Sequence, residues 1–150
     1  MIESEHLFTI TLHTEMPQVL GDTPAGARKV VQVPGGRFEG ERLQGKILPG
    51  GGDWLLTRPD GALRLDVRLT LETDDGHIIG MTYTGLRHGP AEVLARHDRG
   101  EPVAASEYYF RIAPFFETGS DTYGWLNRII AVGVGWRTDE GPGYDIHQIL

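Results

Sequence analysis

Apolar and polar residues alternate with period two through much of the chain, most plainly over Ala62 to Asp74. There Leu63, Leu65, Val67, Leu69 and Leu71 share one face, and Arg64, Asp66, Arg68, Thr70 and Glu72 share the other. Successive side chains of a strand point to opposite faces, so this pattern predicts a long amphipathic strand. Asp74-Asp75-Gly76 supplies turn chemistry, and alternation resumes at Ile79, Met81 and Tyr83 within His77 to Thr84, which predicts a hairpin. Further strands are predicted over His6 to Thr14, Lys29 to Val33, Gly36 to Phe38, Leu43 to Leu48, Asp53 to Thr57, Ser106 to Ile112, Arg128 to Arg137 and Tyr144 to Leu150. One stretch has helical spacing instead: Pro90 precedes Val93, Leu94 and His97, and Gly100 with Pro102 makes a stop, so a short helix is expected over Ala91 to Arg99. Short strands separated by Pro-Gly-Gly, Pro-Gly-Gly-Gly and Pro-Asp-Gly turns predict an all-β, mainly antiparallel fold: a small closed or nearly closed barrel of about eight or more strands, with the helix plugging one end.

A chain of 150 residues with 39% hydrophobic content supports one core and so a single domain over 1–150. It has no cysteine, which removes disulfides, thiolate metal sites and cysteine nucleophiles, and fits a cytoplasmic setting. The acidic start Met-Ile-Glu-Ser-Glu-His lacks the basic region of a signal peptide, and no apolar run is long enough to span a membrane. Net charge is −7 with the 14 Lys and Arg dispersed, the reverse of a nucleic-acid footprint.

The strings Leu48-Pro-Gly-Gly-Gly-Asp-Trp54, Leu69-Thr-Leu-Glu-Thr-Asp-Asp-Gly76, Tyr108-Tyr-Phe-Arg111, Phe116-Glu-Thr118 and Tyr123-Gly-Trp-Leu-Asn127 resemble a bacterial family of unknown function, domain of unknown function 3237, nearly end to end. That resemblance carries no assigned activity or catalytic residues. It implies a small antiparallel barrel similar to those of allene oxide cyclases and dirigent proteins, which hold apolar oxygenated molecules and steer their cyclisation or coupling. Leu69 stands where the family commonly has an aromatic residue and Ile112 where it has a threonine, changes that would alter a pocket lining.

Familiar motifs are incomplete. Gly133-Val-Gly135 lacks the third glycine of a dinucleotide fingerprint, and Asp53 after Gly50 to Gly52 would repel a phosphate. No Gly-x-Ser-x-Gly elbow surrounds Ser4, Ser106 or Ser120, and the six histidines lack metal-ligand spacing, so neither a cofactor nor a metal is expected. Polar groups in aromatic surroundings remain. Asp66 with Arg68, and Tyr109 with Arg111, each share a strand face. Facing inward they would form a desolvated cavity in which arginine clamps a carboxylate or enolate while an acid or phenol exchanges a proton; facing outward they are ordinary solvated alternation with the leucines inside. Asp66, Arg68, Tyr109, Arg111 and Glu117 are the candidate catalytic residues, and Asp53, Trp54, Trp125 and Asn127 the candidate ligand-binding residues. Ala131, Gly133 and Gly135 leave room on one strand face for a ligand or a neighbouring chain. Three functions stay open: a cofactor-independent isomerase, cyclase or lyase acting on a small oxygenated apolar or carboxylate metabolite; a small-molecule binding protein; and a homo-oligomeric interaction module, which is compatible with either.

Overall fold

The alternating segments form eleven strands in a computed structural model that describes residues 1–150. They are β1 (Ser4–His13), β2 (Gln18–Thr23), β3 (Gly26–Val33), β4 (Gly35–Glu39), β5 (Gln44–Ile47), β6 (Gly51–Thr57), β7 (Leu63–Thr73), β8 (Ile78–His88), β9 (Tyr109–Glu117), β10 (Ile130–Arg137) and β11 (Pro142–Ile149). Every pairing is antiparallel. The order β7-β5-β4-β1-β11-β10-β9-β8 returns to β7 through the β7–β8 pairing, closing an eight-stranded barrel. β7 is long enough to pair with β5 along its C-terminal half and β6 along its N-terminal half, and β6 carries β3 and β2 outward as an extension of the wall.

β7 turns its leucines inward, with Leu65, Val67, Leu69 and Leu71 buried, and their neighbours Ile79, Met81, Phe110, Ile112 and Ile146 fill the same interior. Leu7 and Phe8 are adjacent yet both buried, because a bulge between His6 and Phe8 interrupts the β1–β11 register and returns the next residue to the core face. The face of Ala131, Gly133 and Gly135 does not hold open space. A Cβ at Gly135 would sit 2.6 Å from the Phe110 ring, and one at Gly133 would sit 2.6 Å from Ile112, so these residues are small because β9 packs against them.

The helix α1 (Ala91–Asp98) follows Pro90 and buries Val93 and His97 on the barrel. β2 had no counterpart among the predicted strands; it forms by pairing with β3 and buries no residue fully. β9 starts later than expected and runs through Pro114 to Glu117. Beyond Ile112 its edge no longer pairs with β10, so the missing proline donor costs no bond on that side.

Candidate functional site

The β6–β7 ladder lapses over Trp54 and Leu55, between the pairs Asp53–Val67 and Leu56–Arg64. Two side chains repair the break: Asp53 Oδ1 accepts the Asp66 N–H at 3.0 Å, and Arg28 donates to the Trp54 carbonyl at 2.8 Å. The repair leaves the Asp53 carboxyl on the inner side with Val31 and Val67, facing a cavity of about 330 Å³ inside the barrel. That volume lies at the low end of small-molecule sites. Leu12, Val33, Leu55, Leu65, Val67 and Phe110 supply its apolar wall. At this end β3 has no pairing with β1, and residues 14–17 bridge instead, with Glu15 N–H donating to Gln32 and Thr14 N–H to Glu140.

The polar groups around Asp53 follow strand parity. Val67 stands opposite Tyr83 on β8, and two steps further inward on β8 are Gly85 and then Arg87. On β10 the inward row of Ala131, Gly133 and Gly135 continues to Arg137, while Tyr144 comes from β11. Burial raises Asp53 from the usual carboxylate range to about 7, against the lowering effects of the Asp66 N–H and Arg28. Burial also raises both phenols, Tyr83 and Tyr144, which keeps them neutral donors. The two rings meet edge to face with centroids 5.4 Å apart, and their hydroxyls sense each other electrostatically while Tyr144 Oη, fully buried, has no hydrogen-bond partner in the protein. Arg87 is 5% exposed and donates to His97 Nδ1 and Asp98 Oδ1, both at 2.9 Å; its Nε–H has no acceptor.

Of the nine residues singled out in the sequence, Asp53 alone lines this cavity. Asp66, Arg68, Tyr109, Arg111 and Glu117 are exposed on the outer faces of β7 and β9, because the apolar residues between them take the interior; of the two placements the sequence left open, the outward one is observed. Asp66 donates its backbone N–H to Asp53, and its exposed carboxylate adds a smaller upward push on the Asp53 pKa. Tyr109 stacks on His88, and Arg111 lies over the Tyr109 ring. Trp54 points outward from β6 and is 46% exposed. Trp125 and Asn127 lie at the other end of β7 and β8, where Arg42 covers the Trp125 ring and Asn127 exchanges two hydrogen bonds with the Thr118 backbone. Tyr83, Arg87, Arg137 and Tyr144 were outside that set.

Beside Thr118 lies a second polar cluster. Ser120 Oγ is 2.7 Å from His77 Nδ1, and His77 Nε2 is 3.8 Å from Asp75, whose carboxylate accepts the Tyr123 hydroxyl. Ser120 Oγ also accepts the Tyr123 N–H, so the group clasps the β7–β8 turn to the following loop. No three His, Asp or Glu side chains converge in a metal-holding arrangement, and no helix is long and apolar enough to cross a membrane.

These features define a closed antiparallel β-barrel with a polar-lined interior cavity. The chain belongs to the family described as Protein of unknown function (DUF3237), whose model matches residues 2–149. It is 36% identical to UPF0311 protein RPA1785 of Rhodopseudomonas palustris over 149 residues, 99% of this chain and 97% of that protein. The crystal structure of RPA1785 superposes with a TM-score of 0.93, covering 100% of this chain and 99% of that one. The chain is also 30% identical over 131 residues to the hydroalkoxylation enzyme phnH of Penicillium herquei, 86% of this chain and 71% of that protein. The crystal structure of an enzyme from Penicillium herquei shares the fold, with a TM-score of 0.75 at 23% identity and coverage of 99% and 95%.

Proposed function

We propose that the chain is a cofactor-independent acid/base catalyst that isomerises or cyclises a small oxygenated apolar molecule inside the barrel, with Asp53 as the proton-transfer group. The observation that carries this reading is a cavity-facing carboxyl held at about 7, which populates both protonation states near neutral pH and so suits either proton abstraction or donation. Tyr83 and Tyr144 are neutral donors placed to hydrogen-bond a substrate oxygen as its charge changes. The relative named a hydroalkoxylation enzyme supports the reaction class. In such an addition the substrate O–H breaks, a C–O bond forms, and the alkene π pair takes a proton at its other carbon, so no oxidant or reductant is consumed. Incubation of the protein with small hydroxy-alkenes such as 2-allylphenol in D₂O is expected to yield isomers carrying one solvent deuterium on carbon. Asp53→Asn is expected to slow this by about 100-fold or more. Turnover equal in wild type and Asp53→Asn would refute the assignment.

A homo-oligomer is proposed on a separate observation. Ile130, Val132 and Val134 form an exposed apolar row on the outside of β10, with Phe115 exposed on the outside of β9. Patches of this kind favour self-association, which is compatible with catalysis in the interior. If the ligand returns chemically unaltered from every incubation, the binding-protein reading replaces the catalytic one.

A further inference from the structure

Two guanidinium groups line the same end of the cavity, and only one is answered by a carboxylate. Arg87 is held by Asp98 and by His97, while Arg137 pairs with no carboxylate of the chain. The two cations are close enough that Arg137 helps depress Arg87, behind the larger effect of burial. Three cations, Lys29, Arg87 and Arg137, face the cavity together with three carboxyls, Glu15, Asp53 and Asp98. Asp98 is committed to Arg87, and Lys29 and Glu15 are exposed at the rim, which leaves Arg137 as the half-buried cation of this lining without a carboxylate partner.

The buried Nε–H of Arg87 sharpens the point. A buried charged donor without a protein acceptor is destabilising unless water or a ligand supplies one, and this donor belongs to a residue that lines the cavity. One anionic group between Arg87 Nε and Arg137 would satisfy that donor and separate the two like charges. A planar carboxylate matches guanidinium geometry better than a spherical ion does.

We propose that this end of the barrel is a carboxylate seat: the substrate carries a carboxylate held by Arg87 Nε and Arg137, with its apolar body against Leu65, Val67 and Phe110 and its reacting end toward Asp53. The last clause rests on the acid/base reading of Asp53; the seat itself does not. Lys29 at the rim adds attraction for the incoming anion.

The test measures binding of benzoate, cinnamate and octanoate, each against its uncharged primary amide, by calorimetry on the full chain. At least one acid is expected to bind about tenfold or more tightly than its amide, the discrimination of a charge-assisted hydrogen bond. Arg137→Gln, checked for folding by its thermal transition, is expected to abolish that preference. Asp53→Asn is expected to retain it, so a seat that persists without turnover separates this proposal from the catalytic one. No acid binding, equal binding of acid and amide, or an Arg137→Gln variant that keeps the preference would each overturn the seat.

Discussion

Arg87 Nη2 donates to His97 Nδ1 across 2.9 Å, and this contact fixes His97 as a neutral acceptor where α1 meets the barrel. Burial lowers the His97 pKa first, and the facing Arg87 and Arg137 lower it further, against the opposing effect of Asp98. In the unfolded chain His97 takes its proton around pH 6.5, whereas the folded chain resists protonation to lower pH. Between these values the unfolded state binds more protons, so this contribution to stability is present above the ordinary histidine range and is lost as pH falls through it. Between pH 7.5 and 5.5 the stability of wild type relative to His97→Gln, which keeps an acceptor without titrating, is therefore expected to decline in thermal melts. His97→Leu removes the acceptor and is expected to cost about 1–3 kcal/mol at any pH. Identical pH profiles for wild type and His97→Gln would contradict the assignment.

Asp53 works in the opposite sense. Its folded pKa of about 7 lies above the unfolded value, so the folded state binds the extra proton between about 4 and 7 and loses stability as pH rises through that range. Asp53→Asn retains an acceptor for the Asp66 N–H but carries no charge to desolvate. The variant is expected to be more stable than wild type at pH 8 by about 1–2 kcal/mol, a figure discounted for solvent reaching a half-buried group, and nearly equal at pH 4. A wild type more stable than Asp53→Asn at pH 8 would show that the carboxylate is welcome in the cavity and is no poised acid.

Gly135→Ala is expected to destabilise by about 1–3 kcal/mol, because the new Cβ meets the Phe110 ring at 2.6 Å and forces it out of its packed position toward the cavity. Phe110→Leu alone should also destabilise, by removing buried volume. Combined, the two changes should cost less than their sum, since the smaller side chain admits the methyl group. Additive costs in denaturant melts would mean that something other than the ring occupies the space over Gly135.

How far the sequence discloses this arrangement depends on parity. Alternation on β7 is legible because five apolar residues stand in unbroken register, and the helix is legible because Pro90 and Gly100 bracket it. The cavity's polar groups were legible by the same rule carried two steps further. Extending Ile79, Met81 and Tyr83 reaches Arg87, and extending Ala131, Gly133 and Gly135 reaches Arg137. Arg87 was hidden because the predicted strand stopped at Thr84, whereas β8 runs on to His88; Arg137 lay inside the strand predicted over Arg128 to Arg137, on a face whose glycines gave no inward signal. The inward aim of Asp53 was less accessible, since it depends on a ladder break between β6 and β7 that only the folded pairing shows. β2 was illegible because it packs no apolar face into the core.

The outward placement of Asp66, Arg68, Tyr109 and Glu117 carries its own prediction. None of Asp66, Arg68 or Glu117 makes an ion pair, and all four side chains are exposed. Asp66→Asn, Arg68→Gln, Tyr109→Phe and Glu117→Gln are each expected to shift stability by less than about 0.5 kcal/mol and to leave turnover of a cavity substrate unchanged. A turnover loss confined to these variants, with Asp53→Asn active, would move the chemistry to the outer face.

Arg111, Val134 and Asp145 stand in register across β9, β10 and β11, all on the outer side of the barrel. A two-fold axis along β10 would bury Ile130, Val132 and Val134 between two copies and bring Arg111 of one toward Asp145 of the other, whose carboxylate already accepts the Thr9 hydroxyl and lies 3.6 Å from His6. Val132→Glu places a charge at the middle of that row and, facing solvent in the monomer, should hardly affect folding. Sedimentation velocity at high protein concentration is expected to show a dimer for wild type and a monomer for Val132→Glu. Arg111→Asp is expected to weaken association by about tenfold or more, and Asp145→Arg in the same chain to restore it, because the pair is exchanged across the axis. A wild type that sediments as a monomer throughout, or a Val132→Glu dimer, would leave the apolar row without a role in self-association and direct attention to the aromatic loop around Trp125 instead.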